Sequence, residues 1–250
     1  RTQNTVQAEE LASQGYVVVA PDHQYDANVS LYPDNSSADY ISNVPKNSSE
    51  EEWWDIRLNQ LNKRTGDIHF VLDKLLEIQN GSISTHISGK LDLDNVGIFG
   101  HSYGGATSIW STMLDDRIDA CLVYDAWFLP LPDSILTMGM DKPFLHLGRT
   151  KWKNPVNYQN LDTLLLYSKN SHYKLEVLNA NHFDFTDIPQ YSSLAQKFKI
   201  TGKIQKEEMK DILNSVTLDY FDYFLRHKSG FDPFELSSRF NQLKIIYCSQ

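Results

Sequence analysis

Short runs of consecutive apolar residues alternate along the chain with longer segments whose apolar residues recur every three to four positions. Continuous short runs are typical of strands buried on both faces, and the longer periodic segments are typical of amphipathic helices. The runs predict strands over residues 15–20, 96–99, 120–124, 143–148 and 173–178. The periodic segments predict helices over residues 3–13, 50–78, 103–114, 156–168 and 206–227. This alternation indicates an α/β fold with a mainly parallel sheet flanked by helices.

Two segments depart from the alternation. Residues 24–48 are rich in Asn, Ser, Asp and Tyr without periodicity, which predicts a long surface loop. Residues 188–204 place a few apolar side chains among Gln and Lys, which makes this stretch a candidate for transient contact with a lipid interface. Its apolar face is modest, so a solvated surface helix is the favoured interpretation. We see no internal repeat and no second domain, and expect a single domain over residues 1–250 that closes with the helix at 206–227.

The most informative motif is GHSYGG at residues 100–105, between a predicted strand and a predicted helix. In this context the pattern G-x-S-x-G predicts a sharp strand-to-helix turn that exposes the hydroxyl of Ser102 as a nucleophile. Gly100 and Gly104 lack a Cβ, which is expected to permit the turn. The first N–H groups of the helix, that of Tyr103 among them, would then face an oxyanion. A glycine turn without chemistry is the alternative.

A serine nucleophile needs a base and a carboxylate that orients the base. In the α/β-hydrolase fold these residues follow the serine in the order Asp or Glu, then His, each after a strand. Asp125 comes directly after the predicted strand 120–124, and His182 follows the strand 173–178. The other candidates fit less well, because His23 precedes the serine and His146 lies inside a predicted strand. The order predicts the catalytic residues Ser102, Asp125 and His182.

Aromatic residues follow each member of this set in the sequence. Those expected to wall a substrate pocket are Trp127, Phe128, Phe183 and Phe185. Ordinary core packing is the alternative for all of them. Asp187, further along the histidine segment, is expected either to brace that segment or to be a solvated surface residue.

Composition narrows the function classes. A chain of 250 residues with 41% hydrophobic content can form one large core, and its net charge of −9 argues against a nucleic-acid partner. No run of about 18 apolar residues exists, so no transmembrane segment is expected. Cys121 and Cys248 are the only cysteines, which supports neither a disulfide framework nor metal-ligand spacing. We therefore expect no metal and no cofactor.

The sequence is compatible with more than one cellular location. No segment resembles a signal peptide, but the sequence starts at Arg1 rather than at Met, so a removed leader is compatible with it. The Asn-x-Ser sites that would permit glycosylation in a secretory pathway are Asn28, Asn35, Asn47 and Asn80. Several such sites arise by chance in a chain rich in Asn and Ser, so secreted and cytoplasmic locations are both retained.

Three segments together carry a family resemblance: GHSYGGAT at 100–107, DAW at 125–127 and HFDFTD at 182–187. They resemble the platelet-activating factor acetylhydrolase family, and the resemblance extends from Arg1 and Thr2 to the terminal helix. It implies an α/β-hydrolase fold and a calcium-independent esterase of the phospholipase A2 type. Such an enzyme removes short or oxidised acyl chains from the sn-2 position of phospholipids.

One part of the family pattern is expected to lie upstream of Arg1: the loop after the third strand, which supplies the second oxyanion donor. We therefore expect a chain that is incomplete at its N-terminus, without two or three strands and one donor. Two other functions are retained. One is a general carboxylesterase or polyester hydrolase of the same fold. The other is a non-catalytic binding protein on a hydrolase scaffold, against which the intact triad argues.

Overall fold

The computed structural model describes residues 3–41 and 44–249, so Arg1 and Thr2, where the family resemblance starts, lie outside the described residues. The strands are β1 (Val29–Leu31), β2 (Ser37–Asp39), β3 (Gly97–His101), β4 (Ala120–Tyr124), β5 (Phe144–Arg149), β6 (His172–Val177) and β7 (Leu243–Ser249). The helices are α1 (Thr5–Ser13), α2 (Glu50–Gln79), α3 (Tyr103–Leu114), α4 (Asp133–Met138), α5 (Val156–Tyr167), α6 (Ile188–Tyr191), α7 (Leu194–Lys197), α8 (Lys206–Arg226) and α9 (Pro233–Arg239). A 3-10 turn spans His182–Phe185.

The chain forms two compact units. The first covers residues 19–91, and the second joins residues 3–18 to residues 92–249. In the first unit, α2 begins with a capping box in which Ser49 and Glu52 satisfy each other's backbone N–H groups. Three acidic residues in the first turn, Glu50–Glu52, add favourable charge at the positive end of the helix dipole.

The first unit also corrects the expected loop at 24–48, because an antiparallel hairpin of β1 and β2 lies inside it. Each of these strands has three residues and buries one side chain, Ser30 in β1 and Ala38 in β2. Three residues per strand are too few for an alternation of buried and exposed positions to be recognised in the sequence. The turn is built by Asp34, whose carboxylate accepts hydrogen bonds from the N–H and the hydroxyl of Ser36.

The second unit contains a five-stranded sheet in the order β3-β4-β5-β6-β7. The first four strands are parallel and β7 is antiparallel to β6, which confirms a mainly parallel sheet. Every residue of β4 is buried, and α8 packs Val216 and Tyr220 into the same apolar core as Leu147 and Leu175. Because parallel strands end at one edge of the sheet, the residues that follow β3 to β6 come together there.

Most predicted elements of this unit are confirmed to within two residues, but three expectations are wrong. Residues 16–20 form no strand, since among the described residues they have no ladder partner. The chain does not close with α8, because α9 and β7 follow it. The stretch 188–204 forms two four-residue helices, α6 and α7, rather than one helix.

Candidate active site

Ser102 lies in a sharp turn between β3 and α3. Its φ of 56° and ψ of −116° are rare for a residue with a Cβ and cost about 1–3 kcal/mol. The turn is held from both sides. The N–H of Ser102 donates to the carbonyl of Tyr124 at 3.0 Å, and its own carbonyl accepts from the N–H of Trp127 at 2.9 Å. These bonds fix the serine against the segment that follows β4.

Two close approaches explain the glycines of this turn. A Cβ on Gly100 would lie 2.4 Å from the carbonyl oxygen of Gly104, and a Cβ on Gly105 would lie 2.5 Å from the Cβ of Ala126. A Cβ on Gly104 would meet nothing within 4 Å. The steric requirement expected at Gly104 is therefore wrong, and it falls on Gly105 because this residue touches the segment that follows β4.

The three polar residues expected to act together lie within hydrogen-bonding distance of one another. His182 Nε2 is 2.9 Å from Ser102 Oγ, and His182 Nδ1 is 2.6 Å from Asp125 Oδ2. Ser102 follows β3, Asp125 follows β4 and His182 follows β6, so all three lie at the carboxyl edge of the sheet. A hydroxyl, an imidazole and a carboxylate in this order can relay one proton away from the serine oxygen.

Asp125 is fully buried and has a positive φ of 38°. Its Oδ1 accepts hydrogen bonds from the N–H of Arg149 at 3.3 Å, from Trp152 Nε1 at 3.0 Å and from the Tyr158 hydroxyl at 3.0 Å. Burial by itself raises the pKa of Asp125, but the hydrogen bond from His182 and the charge of Arg149 outweigh burial. The pKa of the carboxyl is therefore held below its ordinary value, and the group stays ionised.

Arg149, Trp152 and Tyr158 were missed in the sequence. They belong to no motif, since Arg, Trp and Tyr occur throughout ordinary surfaces and cores. One signal was present, because all three residues lie within the ten positions that start at the last residue of β5. In the sheet, β5 lies between β4, which precedes Asp125, and β6, which precedes His182. In a parallel sheet that place alone points to the same edge.

His101 packs directly against the candidate base. Its ring centroid is 4.4 Å from that of His182, and its Nε2 is 3.0 Å from the carbonyl oxygen of His182. Burial and the neighbouring His182 lower the pKa of His101 to about 3, so its ring is neutral. Because a carbonyl only accepts, the proton is assigned to Nε2, which donates to the His182 backbone.

The amino-acid sequence matches a known protein family over most of its length. The profile described as platelet-activating factor acetylhydrolase, isoform II, matches residues 1–242. The chain belongs to this family. Platelet-activating factor acetylhydrolases of Gallus gallus and Canis lupus familiaris are 25% and 24% identical to it, each over 90% of this chain. The matches cover 59% and 54% of those relatives, so the chain spans little more than half of their length.

A solved structure also resembles this platelet-activating factor acetylhydrolase family member. A ferulic acid esterase from Streptomyces cinnamoneus superposes with a TM-score of 0.78 at 23% identity, over 98% of this chain and 69% of that chain. At this identity the likeness shows the fold alone. The α/β-hydrolase fold and the family resemblance expected from the sequence are thereby confirmed.

In this family member, two buried aspartates hold the segment that carries His182. Asp184 Oδ2 accepts from the N–H of Asn181 at 2.7 Å and from that of Gly202 at 2.5 Å. Asp187 accepts from the N–H groups of Thr5 and Val6, at 2.7 and 3.3 Å, at the start of α1. Asp187 is 2% exposed, so the bracing role is the one its surroundings support and it is not a solvated residue.

The four aromatic residues expected at a pocket separate into two groups. Trp127 and Phe183 are partly exposed, with Trp127 against the ring of Tyr103 at 5.3 Å and Phe183 against that of His182 at 5.5 Å. Phe128 and Phe185 are fully buried, and Phe185 belongs to the apolar core. Of the four, Trp127 and Phe183 present ring surface to solvent beside the site.

The described residues hold neither a candidate metal centre nor a membrane-spanning helix. Residues 3–41 and 44–249 contain no group of three or more His, Cys, Asp or Glu side chains placed to hold a metal ion. Over the same part of the chain, no helix has the length and apolar character needed to span a bilayer.

Proposed function

We propose that this chain carries a serine ester hydrolase site in which Ser102 is the nucleophile, His182 the general base and Asp125 the orienting carboxylate. The observation that carries the proposal is the double contact of His182, with Nε2 2.9 Å from Ser102 Oγ and Nδ1 2.6 Å from Asp125 Oδ2. Membership of the platelet-activating factor acetylhydrolase family supports the same reaction class.

The reaction follows from the positions of these atoms. Ser102 Oγ attacks the ester carbonyl while its proton moves to His182 Nε2, and Asp125 stabilises the imidazolium through Nδ1–H. The carbonyl oxygen becomes an oxyanion near the first turn of α3, where the N–H of Tyr103 is the proposed donor. The imidazolium then protonates the departing alkoxide. Water, deprotonated by His182, cleaves the acyl-enzyme and restores the serine.

For the substrate, we propose phospholipids whose sn-2 acyl chain is short or oxidised, cleaved without calcium. The names of the relatives support this class, since they denote hydrolysis of an acetyl ester. The partly exposed rings of Trp127 and Phe183 lie beside the reacting groups and offer apolar contact to a short acyl chain.

The segment after the candidate histidine supports transient contact with a lipid surface. Tyr191, Leu194 and Phe198 are 70%, 51% and 73% exposed, and Lys197 and Lys199 lie among them. Aromatic and aliphatic side chains next to lysines suit an interface between acyl chains and anionic head groups. The contact would bring the enzyme to its substrate without a spanning helix.

The test compares two phospholipids, one with an sn-2 acetyl group and one with an sn-2 palmitoyl group, with Ser102→Ala as the control. We expect the purified protein to cleave the acetyl lipid alone, and the substitution to abolish cleavage. Cleavage of simple soluble esters but of neither lipid would favour a general carboxylesterase or polyester hydrolase. Failure of Ser102 to react with a fluorophosphonate in the folded protein would favour a non-catalytic binding protein.

A further inference from the structure

The carboxylate of Asp125 has more hydrogen-bond donors than a triad requires. Besides His182, the side chains of Trp152 and Tyr158 donate hydrogen bonds to it, and the side chain of Arg149 forms an ion pair with it. All three residues lie in the segment that begins at the end of β5. We propose that these three residues, termed here the carboxylate clamp, are positioning residues that fix Asp125 against His182. The inference rests on the proposed hydrolase function, which gives the Asp125–His182 bond its purpose.

The two carboxylate oxygens of Asp125 have different hydrogen-bond partners. Oδ1 accepts from Trp152 Nε1 and from the Tyr158 hydroxyl, each at 3.0 Å, and from the Arg149 N–H at 3.3 Å. Oδ2 remains for His182 at 2.6 Å, with Arg149 Nε at 3.1 Å. Rotation of the carboxylate would break all the bonds to Oδ1 in a site that water does not reach. The bonds to Oδ1 therefore fix the orientation of Oδ2 toward the imidazole of His182.

Tyr158 is the member whose removal can be tested with the least disturbance. Its hydroxyl lies between Asp125 Oδ1 and the carbonyl oxygen of Arg149, at 3.0 and 2.5 Å. The space it occupies depends on Gly148, since a Cβ there would lie 2.7 Å from the Tyr158 hydroxyl oxygen. Burial and the charge of Asp125 raise the pKa of Tyr158 far above its ordinary value, so the hydroxyl keeps its single proton, which the carboxylate and the Arg149 carbonyl share as acceptors.

Arg149 and Trp152 form the second part of the clamp. The guanidinium carbon of Arg149 lies 4.7 Å from the centre of the Trp152 ring, and that ring meets the His182 ring edge-to-face at 5.1 Å. The Trp152 ring therefore contacts both the Arg149 guanidinium and the His182 imidazole, while its N–H donates a hydrogen bond to the Asp125 carboxylate. The charge of Arg149, whose Nε is 3.1 Å from Asp125 Oδ2, offsets part of the charge of the carboxylate.

Four titratable or charged groups face the Asp125–His182 pair: His101 from β3, His146 and Arg149 from β5, and Tyr158 from α5. Two charged residues of β6 lie farther out, where Lys174 interacts electrostatically with His146 and Glu176 with Tyr158. Burial lowers the pKa of His101 and His146 to about 3, so both rings are neutral near pH 7. Because Tyr158 is neutral as well, a changed pH profile in an Arg149 variant can be assigned to the lost guanidinium charge.

The experiment measures kcat, KM and the pH dependence of kcat/KM on a soluble nitrophenyl ester. The matched control for Tyr158→Phe is Tyr167→Phe, the same substitution in the same helix at a residue that is 47% exposed. We expect Tyr158→Phe to lower kcat about tenfold with little change in KM, as the loss of one hydrogen bond to a charged group implies. Trp152→Phe is expected to act in the same direction, and Tyr167→Phe to leave both constants unchanged.

The charge of Arg149 is tested separately. Arg149→Met is expected to move the acid limb of the kcat/KM profile about one pH unit higher, because it removes a positive charge beside the Asp125–His182 pair. Arg149→Lys keeps the positive charge and is expected to restore the limb. A purely structural role would move the melting temperature but would not reverse the pH profile with the conservative variant.

A readout independent of turnover separates this inference from the proposed function. The His182 Nδ1–H proton bonded to Asp125 is expected to be strongly deshielded and is followed by proton NMR, with His182→Ala to assign it. We expect a smaller downfield shift and faster solvent exchange in Tyr158→Phe than in Tyr167→Phe. An inactive wild-type protein that shows these differences would refute the hydrolase and keep the clamp. Equal signals and equal kcat in Tyr158→Phe and the wild type would overturn the clamp.

Discussion

At the scale of single residues, the contact between α3 and the segment after β4 leaves no room for one methyl group. A Cβ on Gly105 would lie 2.5 Å from the Cβ of Ala126, which directly follows Asp125. A Cβ on Gly104, its neighbour, would stand in open space. Two adjacent glycines therefore have different structural roles, although a sequence pattern treats the earlier one as the essential residue.

Gly105→Ala should separate Ser102 from Asp125, because the new methyl group must displace Ala126 or the start of α3. We expect a loss of about 1–3 kcal/mol in the free energy of unfolding, as is typical of overpacking, together with a lower kcat. The measurement is urea unfolding with ester hydrolysis under the same buffer. Gly104→Ala is the matched control and should unfold at the same urea concentration or a higher one. Equal effects of the two substitutions would contradict this steric account.

The sequence predicted the residues of the candidate site better than their surroundings. Ser102, Asp125 and His182 were found because each follows a predicted strand in a fixed chain order, and their side chains lie within 2.9 Å of the next. Arg149, Trp152 and Tyr158 were not, because a contact with a buried carboxylate leaves no spacing pattern. The separation of Phe128 and Phe185 from Trp127 and Phe183 likewise depends on packing, which the chain order does not encode.

At the scale of elements, the segment that carries His182 depends on the first helix of the chain. The carboxylate of Asp187 caps α1 by accepting from Thr5 and Val6, although more than 180 residues separate the two in the sequence. A further bond, from the Asn4 amide to the carbonyl of Phe185, joins the same two elements. The position of the candidate base is thereby coupled to the docking of α1.

Asp187→Ala removes this cap and should loosen α1 and the histidine segment together. We expect a loss of about 1–2 kcal/mol in the free energy of unfolding, the usual cost of an N-cap, and a lower kcat. Thermal unfolding and steady-state kinetics measure the two effects. Asp211→Ala, at a side chain of α8 that is 58% exposed, is the control. An unchanged kcat in Asp187→Ala would show that the cap does not position His182.

The exposed side chains after the histidine segment give a second prediction at this scale. Phe198→Ser should weaken binding to anionic phosphatidylglycerol vesicles about tenfold, because a ring that is 73% exposed would no longer enter the lipid. Vesicle sedimentation measures the partition, and soluble ester hydrolysis should stay unchanged. Leu166→Ser, at a residue of α5 that is 78% exposed, is the control. An equal loss in both variants would indicate non-specific adsorption.

Elements with a long period or a buried run were predicted from the sequence, and those whose identity depends on a neighbour were not. Residues 16–20 have the apolar composition of a strand but, among the described residues, no partner. β7 was missed because most of its residues are exposed or half-buried, as at a sheet edge, which blurs the pattern. Both cases show that composition is local, whereas strand formation requires a second strand.

At the scale of the whole molecule, the interior holds two imidazoles that folding keeps neutral below pH 6.5, where an exposed histidine would be protonated. Burial lowers the pKa of both His101 and His146 to about 3, against 6.5 for an exposed histidine. Between these pH values the unfolded chain binds protons that the folded chain does not. Stability is therefore present above about pH 6.5 and is lost as the pH falls towards 3.

The free energy of unfolding should accordingly fall between pH 6.5 and pH 4.5 by about 1.4 kcal/mol per pH unit for each buried imidazole. His146→Gln should reduce the slope by that amount, because a neutral amide binds no proton in either state. Urea unfolding at several pH values measures it. His86→Gln, at an exposed residue of the first unit, is the control. A slope unaltered by His146→Gln would contradict the neutral buried imidazole.

Ser102 and Asp125 both occupy backbone with positive φ, at 56° and 38°, where glycine would fit with less strain. In evolutionary terms, the backbone at each position favours glycine by about 1–3 kcal/mol, but at Asp125 the hydrogen bonds and the ion pair of the side chain oppose that drift. A lineage released from the proposed chemistry would be expected to lose the side chain of Ser102 before that of Asp125. Under the proposed hydrolase function, selection would keep the Ser102 hydroxyl in strained backbone at the expense of stability.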